Sequence, residues 1–160
     1  MYYDVFSAFC GDILLASRGE ALVLLDYQQG RKARTIGSDW RRDAALFRPV
    51  RAEVEAYLNG ELREFSIEVA PEGTDFQRQV WRALRDIPYG QTASYAEIAA
   101  RIGRPKSMRA VGAANGANPI SLIIPCHRVI GSNGSLTGYA GGLAVKQRLL
   151  ALEQEALAAG

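Results

Sequence analysis

The chain has 160 residues, 48% hydrophobic and 22% charged, with a net charge of +2; that balance excludes a disordered polymer and leaves enough chain to bury a substantial core. Two cysteines and one histidine exclude a disulfide framework and a tetrahedral zinc site built from Cys and His, so no metal is expected. No apolar run approaches a membrane span, and a start with Asp4 and no basic stretch does not read as a signal peptide, so a cytoplasmic protein with no membrane partner is expected.

Residues 2–9, 13–17 and 21–27 read as strands, separated by Gly11-Asp12 and Arg18-Gly19-Glu20. Such short connections favour antiparallel pairing. Residues 28–42 are polar and basic and read as a loop. Leu46, Val50, Val54 and Tyr57/Leu58 recur at helical spacing within 43–58, and Asn59-Gly60 stops that helix. Residues 65–69 read as one more strand. Two capping boxes follow, Thr74-x-x-Gln77 and Ser94-x-x-Glu97, the first ahead of Phe76, Val80, Leu84 and Ile87 at helical spacing. Pro88-Tyr89-Gly90 separates the two helices, and Gly103 closes the second. After Arg104-Pro105 a third helix is expected over 107–116. A short helix pair around a Gly/Pro turn is the helix-turn-helix pattern. Its second member is small-sided, with Ala110, Gly112, Ala113 and Ala114 behind Arg109. Residues 119–124 are apolar and β-leaning, and a last helix is expected over 144–158. The fold class is α+β: a small N-terminal antiparallel sheet with a helix, then a mainly helical C-terminal part.

Charge is unevenly placed. Residues 1–74 hold 9 basic and 12 acidic side chains, whereas 75–160 hold 10 basic and 5 acidic. Between Ile98 and Leu152 there is no acid at all, but Arg101, Arg104, Lys106, Arg109, Arg128, Lys146 and Arg148 are present. A single-sign segment of this kind faces a polyanion. Seven cations there predict several phosphate contacts.

Cys126 stands beside His127 and Arg128 in that acid-free stretch. Cationic neighbours lower a thiol's pKa, and the thiolate is the nucleophile. Consecutive residues of a strand point to opposite faces, however, so either the chain turns after Pro125 or a water joins the two side chains. Glu153 shares the apolar stripe of the last helix with Leu149, Leu150 and Leu157, where a carboxylate needs a partner. His127 is the one imidazole available; the alternative is that Glu153 reaches solvent from the helix end. Cys10 reads as a small buried hydrophobe, Trp81 as core, and Arg128 as a pairing residue toward the first lobe.

The run Ile124-Pro125-Cys126-His127-Arg128-Val129-Ile130 resembles the active-site motif of the O6-alkylguanine-DNA alkyltransferases. The likeness extends from Thr74 to Glu153 through Tyr89-Gly90, Ser94-Tyr95, Arg109-Ala110-Val111-Gly112, Asn118-Pro119 and Tyr139-Ala140-Gly141-Gly142. The N-terminal lobe is similar only in size and in its strand-then-helix order. The resemblance implies a ribonuclease-H-like lobe over 1–72 and a DNA-binding, alkyl-accepting domain over 73–160. It implies direct repair, in which Cys126 takes the alkyl group from O6-alkylguanine after the nucleotide flips out of the duplex. O4-alkylthymine is a further candidate substrate. His127 would take the thiol proton through a water, Glu153 would polarise it, and Tyr95 would donate to the flipped base. Arg109 would fill the vacated stack, with Ser94, Lys106, Ala110, Gly112 and Ala113 against the minor groove of double-stranded DNA. Asn118 would tie the recognition helix to the active-site turn, while Pro125, Arg128, Val129, Tyr139 and Ala140 would line or support the pocket. Some members have serine where Ala140 stands; a backbone role survives that change. A monomer acting once without a cofactor is implied.

Two rivals use fewer of these residues. A helix-turn-helix module that binds damaged DNA without chemistry explains the charge and Arg109 but leaves Cys126, His127 and Glu153 idle. A thiol hydrolase explains the Cys-His pair but not the basic helices.

Overall fold

The computed structural model describes residues 1–30 and 33–160. Three strands form a meander: β1 (Tyr2–Ala8), β2 (Gly11–Ser17) and β3 (Leu22–Tyr27), with Val5 opposite Leu14 and Leu15 opposite Leu25. The region read as a loop contains a two-residue strand, β4 (Arg41–Arg42), parallel to β1 and giving the order β3-β2-β1-β4. Its cause is a buried carboxylate. Asp4 is 3% exposed, and Arg42 Nε pairs with it at 3.0 Å while Nη2 reaches the Val5 carbonyl. Residues 31 and 32 of that loop lie outside the described residues.

Helix α1 (Arg48–Leu58) starts later than its periodicity suggests. Pro49 lacks an amide hydrogen and fits only the first turn, so the chain before it forms a turn in which Asp43 accepts from the Leu46 amide. Gly60, at φ 77°, closes α1 by bonding to Tyr57 O while Glu61 bonds to Ala56 O, the paired bonds of a Schellman motif.

The two other expected strands are single bridges to the edge of β3. Leu22 exchanges hydrogen bonds with Glu68 and Ala70, and Leu25 with Pro119 and Ser121. β3 thus accepts a neighbour at each end, and neither neighbour stays extended beyond it.

Both capping boxes are present, with the Thr74 and Ser94 side chains accepting from Gln77 and Glu97 amides. They open α2 (Asp75–Arg85) and α3 (Tyr95–Arg101). A second Schellman closure at Gly103, φ 75°, turns the chain into α4 (Met108–Gly116). α5 (Leu143–Ala159) closes the fold. The fold is α+β, and one apolar cluster runs through both halves, joining Leu15 and Leu25 to Val54 and Tyr57, to Trp81 and Leu84, and to Ile124, Val129 and Leu149. No helix among the described residues is long and apolar enough to cross a membrane.

Candidate active site

The cysteine is presented by consecutive tight turns. Ile123 N bonds to Ser121 O at 2.9 Å across Leu122, whose φ of 70° makes it the one described non-glycine residue in the left-handed region. Cys126 N then bonds to Ile124 O at 2.8 Å across Pro125, at φ −81° and ψ 63°, the geometry of an inverse γ-turn. Proline's ring already holds φ near that value. Cys126–Arg128 follow as one turn of 3-10 helix, so the chain turns after Pro125, one of the two ways past the strand geometry. Asn118 holds this turn from the end of α4: its Nδ2 donates to Ile124 O at 2.8 Å, and its Oδ1 accepts from the Ile120 amide. The next residues, β6 (Val129–Ile130), run parallel to β5 (Ala93–Ser94), so the N-cap of α3 is pinned beside the cysteine turn.

Behind the turn, Glu153 is fully buried on α5 and gathers donors from three segments. It accepts from His127 Nε2 at 2.7 Å, Arg128 Nε at 2.9 Å and Nη2 at 2.9 Å, the Tyr57 hydroxyl at 2.5 Å and the Gly90 amide at 2.9 Å. Burial alone would push the carboxyl up, but the bonds from His127, Arg128 and Tyr57 overcome it and hold the pKa at about 2. A carboxylate can only accept, so His127 Nε2 carries the ring proton. Its Nδ1 is then a lone-pair acceptor, buried and without a partner among the described residues. Burial lowers the pKa of His127 despite Glu153, so the imidazole rests neutral. Arg128 does not reach the first lobe, as expected of it; it binds Glu153 and the Ile87 carbonyl, because the buried carboxylate is the nearest charge it can compensate.

The thiol does not behave as its sequence neighbours suggest. Cys126 is 4% exposed, and burial pushes its pKa up, opposed in part by Asn118 and by the charge of Lys146. The expected lowering fails because Arg128 is neutralised by Glu153 and His127 is uncharged. Lys146, counted above with the DNA-facing cations, is wholly buried; its Nζ donates to Val129 O at 2.6 Å and Thr137 O at 3.2 Å. With Arg128 also inside, five of the seven cations remain outward: Arg101, Arg104, Lys106, Arg109 and Arg148.

The segment between β6 and α5 carries Tyr139 and the exposed Ala140. Tyr139 is half-buried, its hydroxyl 2.5 Å from that of Tyr27 on β3. Glycines permit the close approach: a Cβ on Gly30 would strike the Ala140 carbonyl, and one on Gly141 would crowd the Tyr27 ring at 3.1 Å. Tyr95, half-buried at the start of α3, meets Thr137 of the same segment through their hydroxyls. Ser94 is consumed as the cap of α3. Lys106, Arg109, Ala110 and Ala113 are exposed along α4 and the turn before it, and Gly112 is half-buried under the Tyr95 ring. Arg109 has no ion pair among the described residues. The structure therefore brings together Cys126, His127, Glu153, Arg128, Val129 and Asn118, and sets Lys106, Arg109, Ala110 and Ala113 on a separate outward face.

The sequence places Tyr57 on a helix stripe and Lys146 among the outward cations, giving neither a place in the site, and it singles out neither Tyr27 nor Thr137. Lys146 had a signal: it lies three residues before Leu149 and seven before Glu153, on the same stripe of α5. Tyr57 had a weaker one, since a phenol on a core-facing stripe needs a partner for its hydroxyl. Nothing local marks Tyr27 or Thr137.

Comparisons with known proteins agree along the whole chain. Residues 1–71 match the 6-O-methylguanine DNA methyltransferase ribonuclease-like domain, and residues 75–155 match the DNA binding domain of the same enzyme. The methylated-DNA–protein-cysteine methyltransferase of Methanosarcina barkeri is 52% identical over 157 residues, 98% of this chain and 99% of its own. The Haemophilus influenzae protein of that name is 44% identical over 155 residues, 96% of this chain and 87% of its own. The crystal structure of Mycobacterium tuberculosis OGT in complex with DNA superposes with a TM-score of 0.91 at 46% identity, covering 98% of this chain and 94% of that one. With both halves of the family's model matched in order, and the cysteine turn, histidine and glutamate assembled in one buried cluster, the chain belongs to the 6-O-methylguanine DNA methyltransferase family.

Proposed function

We propose that this chain repairs double-stranded DNA by moving the alkyl group of O6-alkylguanine onto Cys126, once per molecule. The observation that carries this reading is the buried Nδ1 of His127, an acceptor without a partner on the residue next to the thiol, with its tautomer fixed by Glu153. An alkyl group on O6 is hidden inside the duplex, so the nucleotide must leave the stack, at a cost of a few kcal/mol that a damaged pair lowers. Arg109, long, cationic and exposed at the leading end of a small-sided helix, fills the gap from the minor groove.

In the pocket the thiol proton passes through a bridging water to Nδ1 of His127. The sulfur attacks the alkyl carbon in line; the S–C bond forms as the C–O6 bond breaks. The electron pair passes into the guanine ring, with Tyr95 donating a hydrogen bond to it as charge develops; the ring takes up a proton from water, and the proton held by His127 returns to solvent. Guanine leaves unmodified. The thioether has no ready leaving step, so the protein is spent. A thiol held neutral by burial at rest fits this use, since the nucleophile is generated only when the pocket is engaged.

The test is intact mass after mixing with an O6-methylguanine duplex, followed by peptide mapping. One methyl group on Cys126 is expected, none with Cys126→Ser, and an unchanged result with Cys10→Ser. Methyl on Cys10 overturns the assignment, and tight binding with no transfer leaves a damage-binding module instead.

A further inference from the structure

We propose that Thr137 is a positioning residue that turns the Tyr95 hydroxyl proton toward the extruded base, with the Lys146 ammonium setting the direction of the hydrogen-bond chain. This rests on the repair reading above. Tyr95 opens α3, its ring 3.8 Å from where a Cβ on Gly112 would lie, and its hydroxyl meets Thr137 Oγ1. Two hydroxyls facing one another leave open which one donates.

Lys146 decides it. Its Nζ lies 2.6 Å from Val129 O, 3.2 Å from Thr137 O and 3.4 Å from Thr137 Oγ1, and it has no carboxylate partner among the described residues. An ammonium has protons and no lone pair, so Oγ1 must face it with its own lone pair. The Thr137 proton is then driven away from the buried charge, toward the Tyr95 oxygen. Tyr95 becomes the receiver at that contact and keeps its single proton for another acceptor. The chain runs from Lys146 through Thr137 and Tyr95 to the base, and each donor strengthens the next. A hydroxyl aimed in advance at the atom where charge develops lowers the barrier without reorganising during the reaction.

The test is single-turnover transfer from an O6-methylguanine duplex at saturating protein, with DNA affinity measured alongside. Thr137→Val removes the hydroxyl at nearly constant shape; loss of one net hydrogen bond predicts transfer about tenfold slower, with affinity unchanged. Thr137→Ser should restore the rate. In a Tyr95→Phe background Thr137→Val should cost nothing more, because Thr137 acts through that hydroxyl. Wild-type rates in Thr137→Val, or equal slowing by it in the wild-type and Tyr95→Phe backgrounds, overturn the proposal. If Thr137→Val does not fold, Thr137→Ala is read the same way. A wild-type chain that leaves no methyl on Cys126 fails the repair reading itself, an outcome distinct from either.

Discussion

Glu153 is where the charges of the site are settled. Its carboxylate compensates the buried Arg128 guanidinium, fixes the His127 tautomer and accepts from Tyr57 and Gly90. Glu153→Gln leaves Arg128 buried without an anion, which typically costs about 3–5 kcal/mol, and removes the group that holds His127. Urea unfolding should show that loss, and single-turnover transfer should slow; an unchanged midpoint and rate would mean the cluster carries neither load. The pH dependence follows from four shifts. Glu153, held at about 2 against an ordinary 4.5, contributes stability that is complete above 4.5 and is lost as pH falls toward 2, about 3 kcal/mol in all. His127, lowered from 6.5, contributes stability present above 6.5 and lost as pH falls below it. Cys126, raised from 9.0, contributes stability present below 9.0 and lost as pH rises beyond it. Thermal unfolding should therefore show stability lost as pH falls below 6.5. On the alkaline side burial lowers the Lys146 pKa from 10.5 and opposes the thiol, so the thiol's share is read by difference: Cys126→Ser should lose less stability above pH 9.0 than the wild type, and identical profiles would contradict the neutral resting thiol.

At the scale of the element, the proposed DNA-facing unit is α4 with the turn before it. Met108, Arg109, Ala110, Ala113 and Gly116 are exposed on it, so the outward face is small except at its leading end. If Arg109 fills the space left by the flipped nucleotide, Arg109→Ala should slow transfer from duplex far more than from free O6-alkylguanine, which needs no flipping. Equal losses on both would reject that role. Burial of Arg128 and Lys146 also revises the salt dependence. Each phosphate neutralised adds about −0.9 to the slope of log K against log salt, so the acid-free segment contributes a slope no steeper than about −4.5 from its five outward cations. Binding measured from low to moderate salt checks this; binding flat with salt would mean that these cations face no phosphate.

At the scale of the molecule, the sheet and α1 form part of the site. Tyr57 reaches Glu153 and His127 from α1, Tyr27 fixes Tyr139 from β3, and the edge of β3 holds the segment that leads into the cysteine turns. Tyr57→Phe keeps the packing and deletes one hydrogen bond to a buried charge, for which about 1.5–3 kcal/mol is expected. Denaturant unfolding should show that loss with DNA affinity unchanged, since Tyr57 is fully buried and offers no surface to a duplex. Wild-type stability would make the contact between the halves incidental.

What the sequence determined by itself was local or periodic. Capping boxes at Thr74 and Ser94, the stops at Gly60 and Gly103 and the apolar stripes depend on residues within a few positions of each other, so the elements and the order of the motif were legible. Glu153 was legible as a buried carboxylate because it shares a stripe with leucines. Protonation and surface assignment were not, because they depend on what packs around each group. Counting cations placed Lys146 and Arg128 on the surface and a thiolate at Cys126, whereas tertiary packing buried all three, spent the arginine on Glu153 and held the thiol neutral. The proline turn was one of two openings left by strand geometry, and hydrogen bonds from β3 and Asn118 selected it. Tyr27 and Thr137 became visible only in the folded chain, and Tyr57 showed in the sequence only as a core position, since their partners lie 112, 42 and 96 residues away and no local pattern encodes a contact at that range.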